Sequence, residues 1–140
     1  MNYLIDSCLL IDAYDRKLPE AQARLKTIFA EDDNEIFINR LALLETLRGI
    51  RWVDTKKFAE LKSTLEDFTV VDIDQDIYDS AISFSRFCRS QGTTLKGGCE
   101  AIDYLHFLTA KYYGFEILTS DGDMVALEKH YPAWFEKTGK

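Results

Sequence analysis

Five acidic side chains stand where this sequence has a use for them in chemistry. Asp6 closes the apolar run Tyr3-Leu4-Ile5, while Asp121 and Asp123 follow the run Phe115-Glu116-Ile117-Leu118-Thr119. Glu45 interrupts Leu41-Ala42-Leu43-Leu44-Glu45-Thr46-Leu47, and Asp103 stands between Ile102 and Leu105. A carboxylate in apolar surroundings is costly unless it is paired or holds a metal. Carboxylates brought together repel one another and push some of their number to protonate, and a hard divalent cation with oxygen ligands resolves that conflict. Each acid also has a plain structural reading. Asp6 suits a helix N-cap, Asp121-Gly122 a turn, Glu45 an exposed helix flank, and Asp103 the positive end of a helix dipole. Those readings require the two strand-end acids to coincide by chance, so spacing favours an acidic metal pocket while leaving its reaction open.

The elements that must position these acids follow from hydrophobic periodicity. Tyr3-Leu4-Ile5, Ile36-Phe37-Ile38, Thr69-Val70-Val71-Asp72-Ile73 and Phe115 to Thr119 are short apolar or β-branched runs and predict four buried strands. Between them the spacing predicts helices: one starting at Leu9-Leu10-Ile11, one over 19–30 opened by Pro19, and one from about Arg40 to Ile50. Phe58, Leu61, Leu65 and Phe68 form a further stripe, as do Ile77, Ala81, Phe84 and Cys88 up to Gly92. Ile102, Leu105, Leu108, Thr109 and Tyr112 form the last, closed by Gly114. Gln91 to Gly98 reads as a loop and Ser120 to Asp123 as a polar turn. The tail after Met124 is aromatic and offers no clear strand. Strand and helix alternate throughout, the pattern of an α/β protein with a central parallel sheet of at least four strands covered by helices on both faces. Ligands of such sheets bind beyond the carboxyl ends of the strands, where Asp6 and Asp121 fall.

Composition narrows the class. The 140 residues carry 17 Lys+Arg against 24 Asp+Glu, a formal charge of −7, and are 46% hydrophobic. A chain of this length suits one domain, here 1–140, and buries roughly 70% of its unfolded surface, which excludes disordered and fibrous classes. No apolar run approaches the ~20 residues of a membrane span, and Asp6 interrupts the opening before a signal-peptide core forms, so a cytoplasmic protein away from membranes is expected. Cys8, Cys88 and Cys99 are an odd number at no metal-ligand spacing and read as reduced structural thiols. An acidic balance argues against a nucleic-acid partner, because phosphate affinity comes mainly from Lys and Arg. Acids gathered around divalent cations would remove much of that objection.

Four segments carry a resemblance to a known family. Tyr3-Leu4-Ile5-Asp6-Ser7-Cys8-Leu9-Leu10-Ile11-Asp12 resembles the opening of PIN-domain ribonucleases, in which apolar residues lead into Asp, then Ser or Thr, then a helix. Leu44-Glu45-Thr46-Leu47-Arg48-Gly49 resembles the second motif, with its Glu on the helix after strand two. Asp103 to Ala110 resembles the third, an Asp opening an apolar helix that closes in Thr-Ala, and Ile117 to Met124 resembles the fourth, a strand running through Thr into Asp-x-Asp. His106 and Phe107 depart from the pattern, standing where the family carries smaller aliphatic residues. Size and form are most similar to VapC-type toxins of toxin–antitoxin pairs. The resemblance implies a PIN-like α/β/α fold and an endoribonuclease with Asp6, Glu45, Asp103 and Asp121 as catalytic ligands of Mg²⁺ or Mn²⁺ and Asp123 as a further ligand. It also implies an RNA substrate and a small antitoxin partner. Ser7 and Thr119 would hydrogen-bond the ligand carboxylates. A homodimer is also expected.

Other residues read more plainly. Glu100 suits a solvated helix start, His106 a packing histidine, and Trp52, Tyr131 and Trp134 core or dimer contacts rather than base-stacking platforms. Arg40, Arg48 and Arg51 either line an RNA path or cover a solvated face. A haloacid dehalogenase-type phosphatase would need a second acid two residues after Asp6, where Cys8 stands. A phosphoacceptor receiver would need adjacent acids after the first strand and a Lys after the last, but Ser7 follows Asp6 and Thr119 closes the fourth strand. Within the nuclease reading, a housekeeping RNA-processing enzyme is the alternative to a toxin.

Overall fold

The computed structural model describes residues 1–95 and 100–138. Four strands, β1 (Asn2–Ile5), β2 (Glu35–Asn39), β3 (Thr69–Val71) and β4 (Glu116–Leu118), form one sheet in the order β3-β2-β1-β4. All pairs are parallel. Tyr3 lies opposite Ile36 on one side and Glu116 on the other, and Ile38 lies opposite Val70. The chain thus builds outward from β1 through β2 and β3, then returns to the far side of β1 to lay down β4. The crevice between the carboxyl ends of β1 and β4 is the switch point at which open parallel sheets take their ligands.

Seven α-helices among the described residues cover this sheet: α1 (Ser7–Leu10), α2 (Pro19–Phe29), α3 (Arg40–Leu47), α4 (Thr55–Glu66), α5 (Gln75–Ser90), α6 (Glu100–Tyr113) and α7 (Asp123–Thr138). A π-helical turn, Ile11–Asp15, continues α1. Because side chains alternate across a strand, the sheet feeds two cores. Ile5, Ile38 and Leu118 join Leu9, Leu10, Leu25, Ala42 and Leu65 under α1 to α4. Ile117 packs against the other core, where Phe84, Tyr104, Phe107, Leu127 and Trp134 hold α5, α6 and α7 together. Helices on both faces of a parallel sheet make the α/β/α layering that the alternation predicts.

Boundaries shift where local chemistry intervenes. The helix predicted over 40–50 stops at Leu47, with Arg48 as its C-cap, and the third strand keeps only Thr69–Val71. Of the predicted loop 91–98, positions 96–98 lie outside the described residues, as does Cys99. The aromatic tail is a 16-residue helix despite Pro132 in its interior. Pro132 has no N–H to offer the Glu128 carbonyl. Burial of Met124, Leu127 and Trp134 against α5 and α6 holds the helix through that gap. Trp134 also donates from Nε1 to the Ser83 hydroxyl at 3.0 Å.

Candidate metal centre and active site

The end of β1 delivers the first acid. The β1–β4 ladder runs one step past Ile5, with the Asp6 N–H donating to the Leu118 carbonyl at 3.1 Å. Asp6 then caps α1, its Oδ1 accepting from the Leu9 N–H at 3.2 Å, as the N-cap reading expects. Its Oδ2 accepts from the Thr119 hydroxyl. Asp6 is 2% exposed. That burial raises its pKa, the two hydrogen bonds oppose the rise, and the Asp121 charge adds to it, leaving the pKa above the ordinary carboxylate value.

Thr119 ties this strand end to the turn after β4. Its Oγ1 accepts from the Asp121 N–H at 2.9 Å, and Asp121 Oδ1 in turn accepts from the Asp123 N–H at 2.9 Å. Arg24 Nη1 anchors the same exit by donating to the Thr119 carbonyl at 2.6 Å. The turn therefore presents Asp121 and Asp123 together. Asp103, in the first turn of α6, meets them: one carboxylate oxygen from each of the three lies within 4.8 Å of the others.

Asp6 and Glu45 stand outside that triplet yet are electrically part of it. Burial, then repulsion from Asp121, with Glu45 and Asp123 contributing, lifts Asp103 from the ordinary 3.8 to about 7. Cys8 senses the whole group: burial, then the charges of Asp6, Asp121, Asp103 and Glu45, push its thiol up to about 12. Cys8 is thus an inert thiol at the centre of an acidic field.

Glu45 is held by donors from two elements, α1 and α6. Ser7 Oγ donates to its Oε1 at 2.7 Å, and His106 Nε2 lies 2.9 Å from the same oxygen. Burial acts to raise the Glu45 pKa, but the His106 and Ser7 hydrogen bonds, with the further electrostatic pull of His106 and then Arg48, outweigh it and keep the carboxylate below its ordinary value. His106 is 1% exposed, and its Nδ1 lies 3.0 Å from Asn39 Nδ2. It is a fully buried, doubly bonded residue rather than a packing histidine. Asn39 was not legible as a site residue by type. Its position, directly after a buried strand and before a helix, is the signal that marks a capping residue.

The remaining candidates fall elsewhere. Glu100 pairs with Arg89 at 3.2 Å and does not join the triplet. Arg40 pairs with Asp72 at 3.6 Å and Arg51 with Asp54 at 3.9 Å, all on the surface. Trp134 is core and Tyr131 packs against it, but Trp52 is 95% exposed and so is not a core residue.

The donor set is all oxygen and anionic, which fits a hard divalent cation. Asp103 Oδ2 supports the fit independently. It is buried with no hydrogen-bond partner among the described residues, an arrangement that costs stability unless something positive meets it.

A PIN domain family model matches residues 3–129, and the chain belongs to that family. By sequence, no curated protein matches it. Solved structures similar to it in fold include the following three. VapBC2 from Rickettsia felis, bound to a DNA fragment from its promoter, has a TM-score of 0.71 at 15% identity over 86% of this chain and 88% of that one. FitAcB from Neisseria gonorrhoeae gives 0.68 at 18% identity over 90% and 93%. VapC20 of Mycobacterium tuberculosis, a sarcin–ricin loop cleaving toxin, gives 0.66 at 13% identity over 89% and 93%. No helix among the described residues is long and apolar enough to cross a membrane.

Proposed function

We propose that this chain is a divalent-metal-dependent endoribonuclease and the toxin of a toxin–antitoxin pair. The observation that carries the reading is the Asp103, Asp121 and Asp123 triplet, with its orphaned buried oxygen, set beside Asp6 and Glu45 at the carboxyl end of a PIN-family sheet. Asp6, Glu45, Asp103 and Asp121 are the catalytic carboxylates, and these four with Asp123 would hold Mg²⁺ or Mn²⁺. When bound, such a cation supplies an activated water and offsets charge on the phosphoryl oxygens. The chain's own residues do the rest. Thr119 and Ser7 fix the Asp6 and Glu45 carboxylates by donating to them. A carboxylate of the cluster accepts the proton released as water attacks the phosphodiester. Arg48, whose charge acts on Glu45, offers a cation to the approaching phosphate.

Purified protein is expected to cut a structured RNA internally with Mg²⁺ or Mn²⁺ and to stop in EDTA. Full activity in EDTA, with bound metal shown to be absent, contradicts the reading. A small antitoxin is the proposed partner, supported by likeness to VapBC2 and FitAcB, and the toxin is proposed to act as a homodimer. Expression alone is then expected to arrest growth, and co-expression with a neighbouring small gene to restore it. Harmless expression of verified active enzyme, with no partner recovered, favours an RNA-processing role instead.

A further inference from the structure

His106 occupies a position that the metal centre as described does not explain. It lies one turn after Asp103 on α6, fully buried, between the end of β2 and the middle of α3. The protons on its ring can be worked out from its neighbours. Asn39 caps α3, and its Oδ1 accepts from the Ala42 N–H at 3.0 Å. That bond fixes which end of the Asn39 amide is which, because the opposite orientation would set NH₂ against N–H. The group facing His106 Nδ1 at 3.0 Å is therefore the Asn39 NH₂, which can only donate. Nδ1 must accept and carries no proton. The single ring proton then sits on Nε2 and is donated to Glu45 Oε1 at 2.9 Å.

From this geometry we propose that His106 is a positioning residue: fixed by Asn39 through Nδ1, it orients Glu45 for its cation through Nε2. Ser7 and His106 both donate to Oε1, and Glu45 Oε2 accepts no hydrogen bond among the described residues, which leaves one oxygen for a ligand. A relay of backbone N–H, amide, imidazole and carboxylate thus links the cap of α3 to a ligand on the same helix. The inference rests on the metal-dependent reading for its purpose, but not for its geometry.

The test uses the full chain. In metal-free protein, the ¹⁵N resonances of His106 are expected to show Nδ1 unprotonated and Nε2 protonated at neutral pH. His106→Leu is expected to weaken Mn²⁺ binding roughly 10- to 100-fold, the usual effect of removing a group that orients a ligand. His106→Gln, which can place an amide N–H near the position of Nε2, is expected to recover most of that loss. A protonated Nδ1, or a folded Gln variant that binds Mn²⁺ no better than the Leu variant, overturns the proposal. If the Leu variant fails to fold, the ring resonances of the unaltered protein and the Gln variant still decide. Protein that binds Mn²⁺ but cuts no RNA contradicts the nuclease reading and leaves this proposal standing; protonated Nδ1 in an active enzyme does the reverse.

Discussion

The two sides of the acidic crevice are built differently. Asp6 and Glu45 are held by the chain itself: Asp6 accepts from the Leu9 N–H and the Thr119 hydroxyl, and Glu45 from Ser7 and His106. Asp103, Asp121 and Asp123 bring three carboxylates close together, and the buried Oδ2 of Asp103 meets no donor among the described residues. Both sides are partly or wholly buried, so burial alone does not distinguish them. What differs is the donors. The first pair is preorganised by protein groups, whereas the buried Oδ2 of Asp103 meets none among the described residues, so substitutions at Asp103 and on the first side should have opposite effects on stability.

The largest expected effect comes from the triplet. Asp103→Asn should lower RNA cleavage by at least about 10²- to 10³-fold, the scale for losing one preorganised electrostatic group at a reacting phosphate. Without metal, the same variant should melt no lower than the unaltered protein, because it removes a repelled charge. Single-turnover cleavage and a metal-free melt check the two halves.

A smaller effect with the opposite sign on stability is expected across the crevice. Thr119→Val keeps the shape but removes the donor to Asp6 and the acceptor for the Asp121 N–H. Activity should fall roughly 10- to 100-fold, and stability by about 1–2 kcal/mol even without metal. Equal melting temperatures for the Val and native forms would erase the distinction between the two sides.

The smallest effect is a pH slope. Asp103 titrates at about 7 in the folded chain against an ordinary 3.8, so the native state binds the extra proton between those values. Its contribution to metal-free stability is fully present below about pH 4 and is lost as pH rises through 7. Asp6, also raised, acts in the same direction. Glu45 is lowered, so its contribution is present above 4.5 and fades only at more acidic pH. Metal-free melting temperature should therefore decline from pH 5 to pH 8, and Asp103→Asn should flatten that decline.

The acids themselves were legible because each breaks an apolar pattern: Asp6 and Asp121 end strands, and Glu45 and Asp103 interrupt helical stripes. Strand-end position is a local property, and the parallel topology then brings such positions to one rim. The supporting network was not legible in the same way. Asn39, Glu45 and His106 lie on β2, α3 and α6, and only the packing of three elements makes them neighbours. A histidine among the apolar residues of α6, one turn after Asp103, was the available signal, and its polarity demanded partners that the sequence could not name. Helix α7 was hidden for another reason. Pro132 lowers local helix propensity, and only Trp134 and Leu127, buried against α5 and α6, make the helix worth forming. Trp52 shows the converse, an aromatic residue whose type suggests a core and whose place in the α3–α4 connection leaves it in solvent.

The central claim is that the triplet is completed by a cation, and thermal melting of the native protein and Asp103→Asn at pH 8, each with EDTA and with saturating Mg²⁺, tests it most directly. Mg²⁺ at a hundredfold excess over its Kd is expected to raise the native melting temperature by on the order of 5–10 °C. Little shift is expected for the variant, whose EDTA melt should equal or exceed that of the native protein. Equal Mg²⁺ shifts for both, or an EDTA melt several degrees lower for the variant, would show that Asp103 serves structural pairing and contradict the account.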